Sequence, residues 1–213
     1  MRPLFDPLLV LVLLLNFFML GTSRLRAVIR GSALQGVVLG GVTLLAHGHW
    51  TIEVIAVAAS AALVKGFVIP KLLYKATRDV AIHREVEPLV GLVPSLLLGA
   101  VGTGAALIFS LSLPLAPEHK GSLLLPASLS TLLTGFLILT TRRKAITQVV
   151  GYLVLENGIF IMGLMLLGAM PFLVEVGVLL DLFVGVFVMG IIINHIGREF
   201  ATLDTDRLDR LKE

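Results

Sequence analysis

Seven long apolar runs, separated by short polar segments, set the pattern along the chain. They cover Leu4–Gly21, Gly31 to about Ala46, Thr51–Pro70, Leu89–Leu113, Ser122–Thr141, Ile146–Gly168 and Phe172–His195. An α-helix needs about 20 apolar residues to cross the hydrocarbon core. The expected architecture is therefore all-α: a polytopic membrane helix bundle with seven transmembrane helices. The second run is short, and its link to the third (Ala46-His47-Gly48-His49-Trp50) is tight, so the count is weakest there. The first run has a rival reading as a cleaved signal peptide. It starts with only Arg2, carries Asp6 and lacks a small-residue cleavage site before Ser23-Arg24-Leu25-Arg26, so it is read as a retained anchor.

The charges give an orientation. Arg24, Arg26 and Arg30 follow the first run; Lys71, Lys75, Arg78 and Arg84 follow the third; Arg142, Arg143 and Lys144 follow the fifth; Arg198, Arg207, Arg210 and Lys212 follow the seventh. With seven alternating spans these fall on one side, and they are all but three of the 17 Lys and Arg residues. Positive charge marks the cytoplasmic side, which puts the N-terminus outside and the C-terminus in the cytoplasm. A net charge of +3 would otherwise hint at nucleic acid. The bases are dispersed topology marks rather than one patch, so no nucleic-acid partner is expected.

Composition narrows the class further. Of the 213 residues, 57% are hydrophobic and 15% charged, against about 25% charged in soluble domains, and the mean hydropathy is +1.00. A soluble enzyme or a disordered chain is excluded. The absence of cysteine removes a disulfide scaffold, thiolate iron–sulfur ligation and cysteine-based zinc sites. Segment 71–88 reads as a solvated connector. The polar tail 197–213 stays outside the membrane, with Asp204 or Thr205 able to cap a short helix. Gly36 and Gly40 have the small-xxx-small spacing of close helix packing, and Gly99, Gly102 and Gly104 are read the same way. Pro94 is expected to kink the fourth span, whereas Pro126 falls in a first turn that tolerates it.

Function is sought where charge is expensive, because ionisable groups inside a bilayer cost roughly 2.5–3.5 kcal/mol on insertion scales. Glu53, near the start of the third run, reads as a headgroup-level residue. Lys65 lies five residues before Pro70 and either snorkels to the inner interface or faces the interior. Glu156 is near mid-membrane in Gly151-Tyr152-Leu153-Val154-Leu155-Glu156-Asn157-Gly158. An unpartnered carboxyl there is held protonated by the low dielectric, which suits a proton relay. The competing reading is a neutral acid that fixes helix packing through Asn157. Asp181 is near mid-span in the seventh run, with Gly185 one turn on. Glu175, about 9 Å nearer the outside, is either an outer relay or a solvated residue at the mouth. His195 either hands protons to the cytoplasm or caps exposed carbonyls. The sixth and seventh spans are joined by a minimal turn, which brings Glu156 and Asp181 to similar depth on adjacent helices.

These features carry a resemblance. Arg142-Arg143 before a helix bearing Gly151 and Glu156, then Asp181 with Gly185, then Leu203-Asp204, is similar to the three-helix K subunit of respiratory complex I and the C subunit of multisubunit cation/proton antiporters. That likeness covers about residues 122–213. The whole chain, with four more N-terminal spans and the tail Leu203-Asp204-Thr205, Leu208 and Leu211-Lys212, resembles the hydrogenase-4 component E family of group 4 nickel–iron hydrogenases and formate hydrogenlyases. It implies a four-helix N-terminal membrane region (1–121), a three-helix K-subunit-like region (122–196) and a cytoplasmic tail (197–213).

The resemblance also implies a non-redox, non-catalytic membrane-arm subunit of a hydrogenase or complex I-like assembly in the bacterial or archaeal inner membrane. It implies no cofactor or metal site of its own. Its partners would be antiporter-like and complex I-like membrane subunits, a peripheral nickel–iron/iron–sulfur arm and the lipid bilayer. In complex I the two buried acids lie on a hydrophilic axis that couples redox chemistry to proton movement, so Glu156 takes the first role and Asp181 the second. Asp181 stands where the complex I subunit typically has Glu, and its shorter side chain leaves a gap to be filled. Lys65 receives no role from the likeness. The rival classes are a stand-alone cation/proton transporter, which would show an internal repeat with broken helices, and a purely structural anchor.

Overall fold

In an apolar surrounding every backbone N–H and C=O must be satisfied within its own segment, which leaves the helix as the answer for each apolar run. The computed structural model describes residues 5–46, 51–79, 89–115 and 121–165, and these form helices and no strands. They are α1 (Phe5–Gly21), α2 (Leu25–Ala46), α3 (Ile52–Leu63), a π-helical turn (Val64–Val68), α4 (Ile69–Asp79), α5 (Leu92–Ser112), α6 (Leu124–Thr141) and α7 (Ala145–Leu164). Five helical stretches among the described residues are long and apolar enough to cross a membrane, and α1 is a shorter apolar helix. The seventh expected span, with Glu175, Asp181, His195 and the polar tail, lies outside the described residues.

Several boundaries differ from the expected ones for physical reasons. The second span is not short: α2 begins at Leu25, so Arg26 and Arg30 are helical and the span has 22 residues. The third does not end at Pro70. Its helix passes through the π turn into α4 as far as Asp79, and Lys71, Lys75 and Arg78 ride on a helix rather than a connector. Proline lacks an N–H, and its ring clashes with the carbonyl four residues back. For Pro70 that carbonyl belongs to Gly66, and there the ladder widens, with the Ile69 N–H donating to the Val64 carbonyl five residues back. Pro94 produces no kink, because α5 begins at Leu92 and first-turn N–H groups have no helical acceptor. Pro126 likewise sits in the first turn of α6, as expected.

Cross-contacts show which ends meet. The Leu123 N–H donates to Asp6 Oδ1, which places the starts of α1 and α6 together. At the other end Arg142 Nη2 donates to the Leu20 carbonyl, the Leu89 N–H to the Thr141 carbonyl, and the Tyr74 hydroxyl to the Arg26 carbonyl. The basic α1–α2 link, α4 and the basic α6–α7 link thus share one end of the bundle. Arg142 is buried there, and desolvation pushes its guanidinium below the ordinary arginine pKa.

Glycine sets the closest approaches. A Cβ on Gly158 would lie 2.6 Å from the Leu132 amide nitrogen, one on Gly151 2.7 Å from that of Leu139, and one on Gly135 would strike the backbone of Leu155. These three, none of them among the glycines expected to pack closely, let the antiparallel α6 and α7 meet backbone to backbone. Gly36 and Gly40 do pack as expected, against Lys65 and Ala62. Gly104 does not, since nothing lies within 4 Å of where its Cβ would be.

The apolar core falls into two clusters. One joins Met19, Leu20, Val28, Ile29, Ile138 and Val150; the other joins Leu9, Val12, Leu39, Ala127 and Ile161. On α1, α2, α6 and α7 the residues between the two clusters include the buried polar side chains Asn16, Gln35, Thr131 and Glu156–Asn157.

These packings predict opposite outcomes for two alanine substitutions. Gly135→Ala forces two backbones apart and should lower the thermal unfolding midpoint, at a cost of about 1–3 kcal/mol. Gly104→Ala meets open space and gains helix propensity, so its midpoint should be unchanged or raised. Thermal melts of both variants in detergent check the pair; equal losses would contradict the assigned α6–α7 contact.

Candidate functional site: a buried ion pair at the head of an amide chain

The polar layer is built from a few residues on α1, α2, the π turn, α6 and α7. On α1 the buried stripe Leu9, Val12, Leu15, Asn16, Met19 and Leu20 carries Asn16 inward by the i, i+3, i+4, i+7 rule. On α2 the same rule carries Gln35 inward between Ser32 and Leu39. Gly36, beside Gln35, leaves room for the π turn: a Cβ there would lie 2.6 Å from Lys65 Cβ. In return a Cβ on Gly66 would lie 2.5 Å from Val37 Cγ2. The glycines on both sides bring the Lys65 stem flush against α2.

Lys65 does not snorkel. Its helix continues past Pro70 to Asp79, so that proline does not end the span. Its ammonium turns inward, and the side chain is only 9% exposed. Nζ lies 2.7 Å from Glu156 Oε1, whose side chain is 2% exposed. It also donates to Asn157 Oδ1 at 3.2 Å and stands 5.5 Å from the centroid of the Phe160 ring. Glu156 is eleven residues into α7, about 16 Å from its start. That is the middle of the helix, and Lys65 meets Glu156 there.

The contacts continue past the ion pair. Asn157 Nδ2 donates to Gln35 Oε1 (3.1 Å), Gln35 Nε2 to Asn16 Oδ1 (2.9 Å), and Asn16 Nδ2 to Thr131 Oγ1 (2.9 Å). Asn157 thus serves Lys65 and Gln35, where the sequence suggested it as a partner for Glu156. Next to Thr131, Ser130 shares a 2.7 Å bond with Thr103 of α5. The Thr103 proton goes to the Gly99 carbonyl, so Ser130 is the donor in that bond.

Asn16, Gln35 and Thr131 carry no charge, so a search for ionisable groups at depth passes them by. Their signal was present in the sequence, since an uncharged amide in the middle of an apolar helix also demands a partner. No group of three or more metal-type ligands occurs among the described residues. For Glu53 the structure describes the backbone, at the start of α3, and not the side chain.

The fold and this layer define a class: a multi-pass helical membrane protein with a lysine–glutamate pair sealed in its bundle. The chain is 33% identical over 193 residues to an uncharacterized protein of Mycobacterium tuberculosis, covering 89% of this chain and 87% of that one. It is 31% identical over 157 residues to hydrogenase-4 component E of Escherichia coli (strain K12), covering 73% of this chain and 72% of the relative, and equally to that of Shigella flexneri. The chain belongs to the hydrogenase-4 component E family. No family model matches it, and no solved structure does.

The pair predicts an energetic coupling. Removing one partner of a buried ion pair costs about 3–5 kcal/mol, because it strands the other charge. Lys65→Met should destabilise the protein on that scale, and adding Glu156→Gln should recover most of the loss. Denaturation of the two single variants and the double variant in detergent reads the coupling directly. Additive losses would mean that the two groups do not interact.

Proposed function

We propose that the chain is a membrane subunit of a hydrogenase complex and that its buried Lys65–Glu156 pair takes part in moving protons. The observation that carries the reading is the pair itself: two charged groups 2.7 Å apart at mid-bundle, between apolar clusters. Ionisable residues at such depth are expensive and mark ion pathways and proton relays. The name of the relatives supports membership of a hydrogenase assembly. In the proposed cycle the Glu156 carboxylate accepts a proton from a water chain, which discharges the pair and loosens Lys65. Releasing that proton to the next acceptor restores the attraction. Asp181 is proposed as that acceptor, in keeping with the likeness to the complex I K subunit and the antiporter C subunit, with Glu175 and His195 as outer and inner relays. Redox metals would belong to other subunits, and co-purification with nickel–iron and iron–sulfur subunits tests that membership.

The proposed orientation has the N-terminus outside and the basic end of the bundle in the cytoplasm, as the positive-inside rule requires. Because the chain has no cysteine, single cysteines report sidedness cleanly. Arg143→Cys should react with an impermeant maleimide only in inverted vesicles, and Ser122→Cys only from outside. In the assembled complex, Glu156→Gln and Asp181→Asn should each reduce coupled proton translocation by roughly 100-fold; because Glu156→Gln strands Lys65 and lowers stability, translocation is scored per assembled complex. Full coupled pumping in the double variant would remove the relay role and leave a structural anchor.

A further inference from the structure

The four hydrogen bonds that lead from Lys65 to Thr131 run one way. An ammonium has donors and no acceptor, so Asn157 must turn its Oδ1 to Lys65, which leaves Nδ2 for Gln35. Gln35 must then present Oε1 to Asn157 and Nε2 to Asn16, and Asn16 presents Oδ1 to Gln35 and Nδ2 to Thr131. Each of the three amides points its oxygen end toward Lys65 and its nitrogen end away. Three aligned dipoles thus carry partial negative charge toward the ammonium. All three residues are nearly sealed from solvent, with Asn16 1%, Gln35 0% and Asn157 2% exposed. The alignment therefore acts in low dielectric, where hydrogen-bonded chains polarise one another.

This bears on a choice inside the pair. In a dry interior a lysine and a glutamate 2.7 Å apart have two states. One is ammonium with carboxylate. In the other, one Lys65 N–H bond has broken and the same proton has formed an O–H bond on Glu156, leaving a neutral amine and a neutral acid. Desolvation favours the neutral state. We propose that Asn157, Gln35 and Asn16 are positioning residues that hold the resting pair in its ionic state, so that Glu156 waits as a carboxylate ready to accept a proton. The proposal rests on the proton-moving role given to Glu156 above. It adds residues of α1 and α2 to which the family likeness gives no role.

Difference infrared spectroscopy of the full chain in lipid nanodiscs tests it. The Glu156 band is assigned by ¹³C-glutamate labelling and by its loss in Glu156→Gln. The wild type should show a Glu156 carboxylate band. Gln35→Met, near in size and unable to hydrogen-bond, cuts the chain in the middle, and a protonated-carboxyl band should replace the carboxylate band. Asn16→Leu, farther from Lys65, should give a smaller change of the same sign. Leu39→Ala, on the same buried face of α2, controls for lost packing: it should lower the melting midpoint yet leave the carboxylate band in place. A carboxylate band unchanged in both Gln35→Met and Asn16→Leu would overturn the proposal, as would a wild-type Glu156 that is already protonated. Translocation that survives Glu156→Gln would instead overturn the functional role while leaving the band shifts as they are, so the two failures are told apart.

Discussion

Everything in this bundle answers to one constraint: a polar side chain buried where water does not reach must find its partner in the protein. The chain places Asn16, Gln35, Lys65, Thr131, Glu156 and Asn157 inward on five helical stretches, each flanked by apolar neighbours. A buried amide without a partner costs about 1–3 kcal/mol, and a stranded charge more. Any arrangement of the helices that separates these groups incurs that cost several times over. The polar layer therefore fixes relative height and rotation more sharply than the two apolar clusters above and below it, whose contacts are non-directional.

Two backbone devices make the layer reachable. Glycines at Gly135, Gly151 and Gly158 draw α7 against α6, which sets the depth of Glu156 and Asn157. On the other side, Pro70 and Gly66 widen the third span into a π turn, and Gly36 lets that turn rest on α2. A π turn shifts the helical phase of the residues beyond it. The segment before it and α4 after it therefore show different faces to the bundle, and Ile69 and Leu73 of α4 join the core cluster nearer the basic end. Such turns are frequent at functional sites, and here the turn carries the lysine.

Helix existence and the position of Glu156 in the middle of an apolar helix were legible in the sequence, because apolar length and the place of a charge within it are local properties. The partner of Glu156 was not. Lys65 looked close to an interface because Pro70 looked like a helix end, and only the π turn shows how the helix passes that proline. The contribution of Gln35 and Asn16 was hidden for a different reason: an amide in a membrane helix carries no charge and is informative only in position. Gly104 misled in the opposite sense, since a small residue permits close packing without requiring it.

The ion pair also joins parts of the chain that lie 91 residues apart in sequence. Glu156 lies on α7, whereas Lys65, Gln35 and Asn16 come from the π turn, α2 and α1. Without Lys65, the Glu156 carboxylate would have to draw its counter-charge from elsewhere or take up a proton. In this chain the counter-charge and the amides that orient it arrive on the same polypeptide. The N-terminal helices then do more than enlarge the membrane footprint: they supply the buried partner that Glu156 meets.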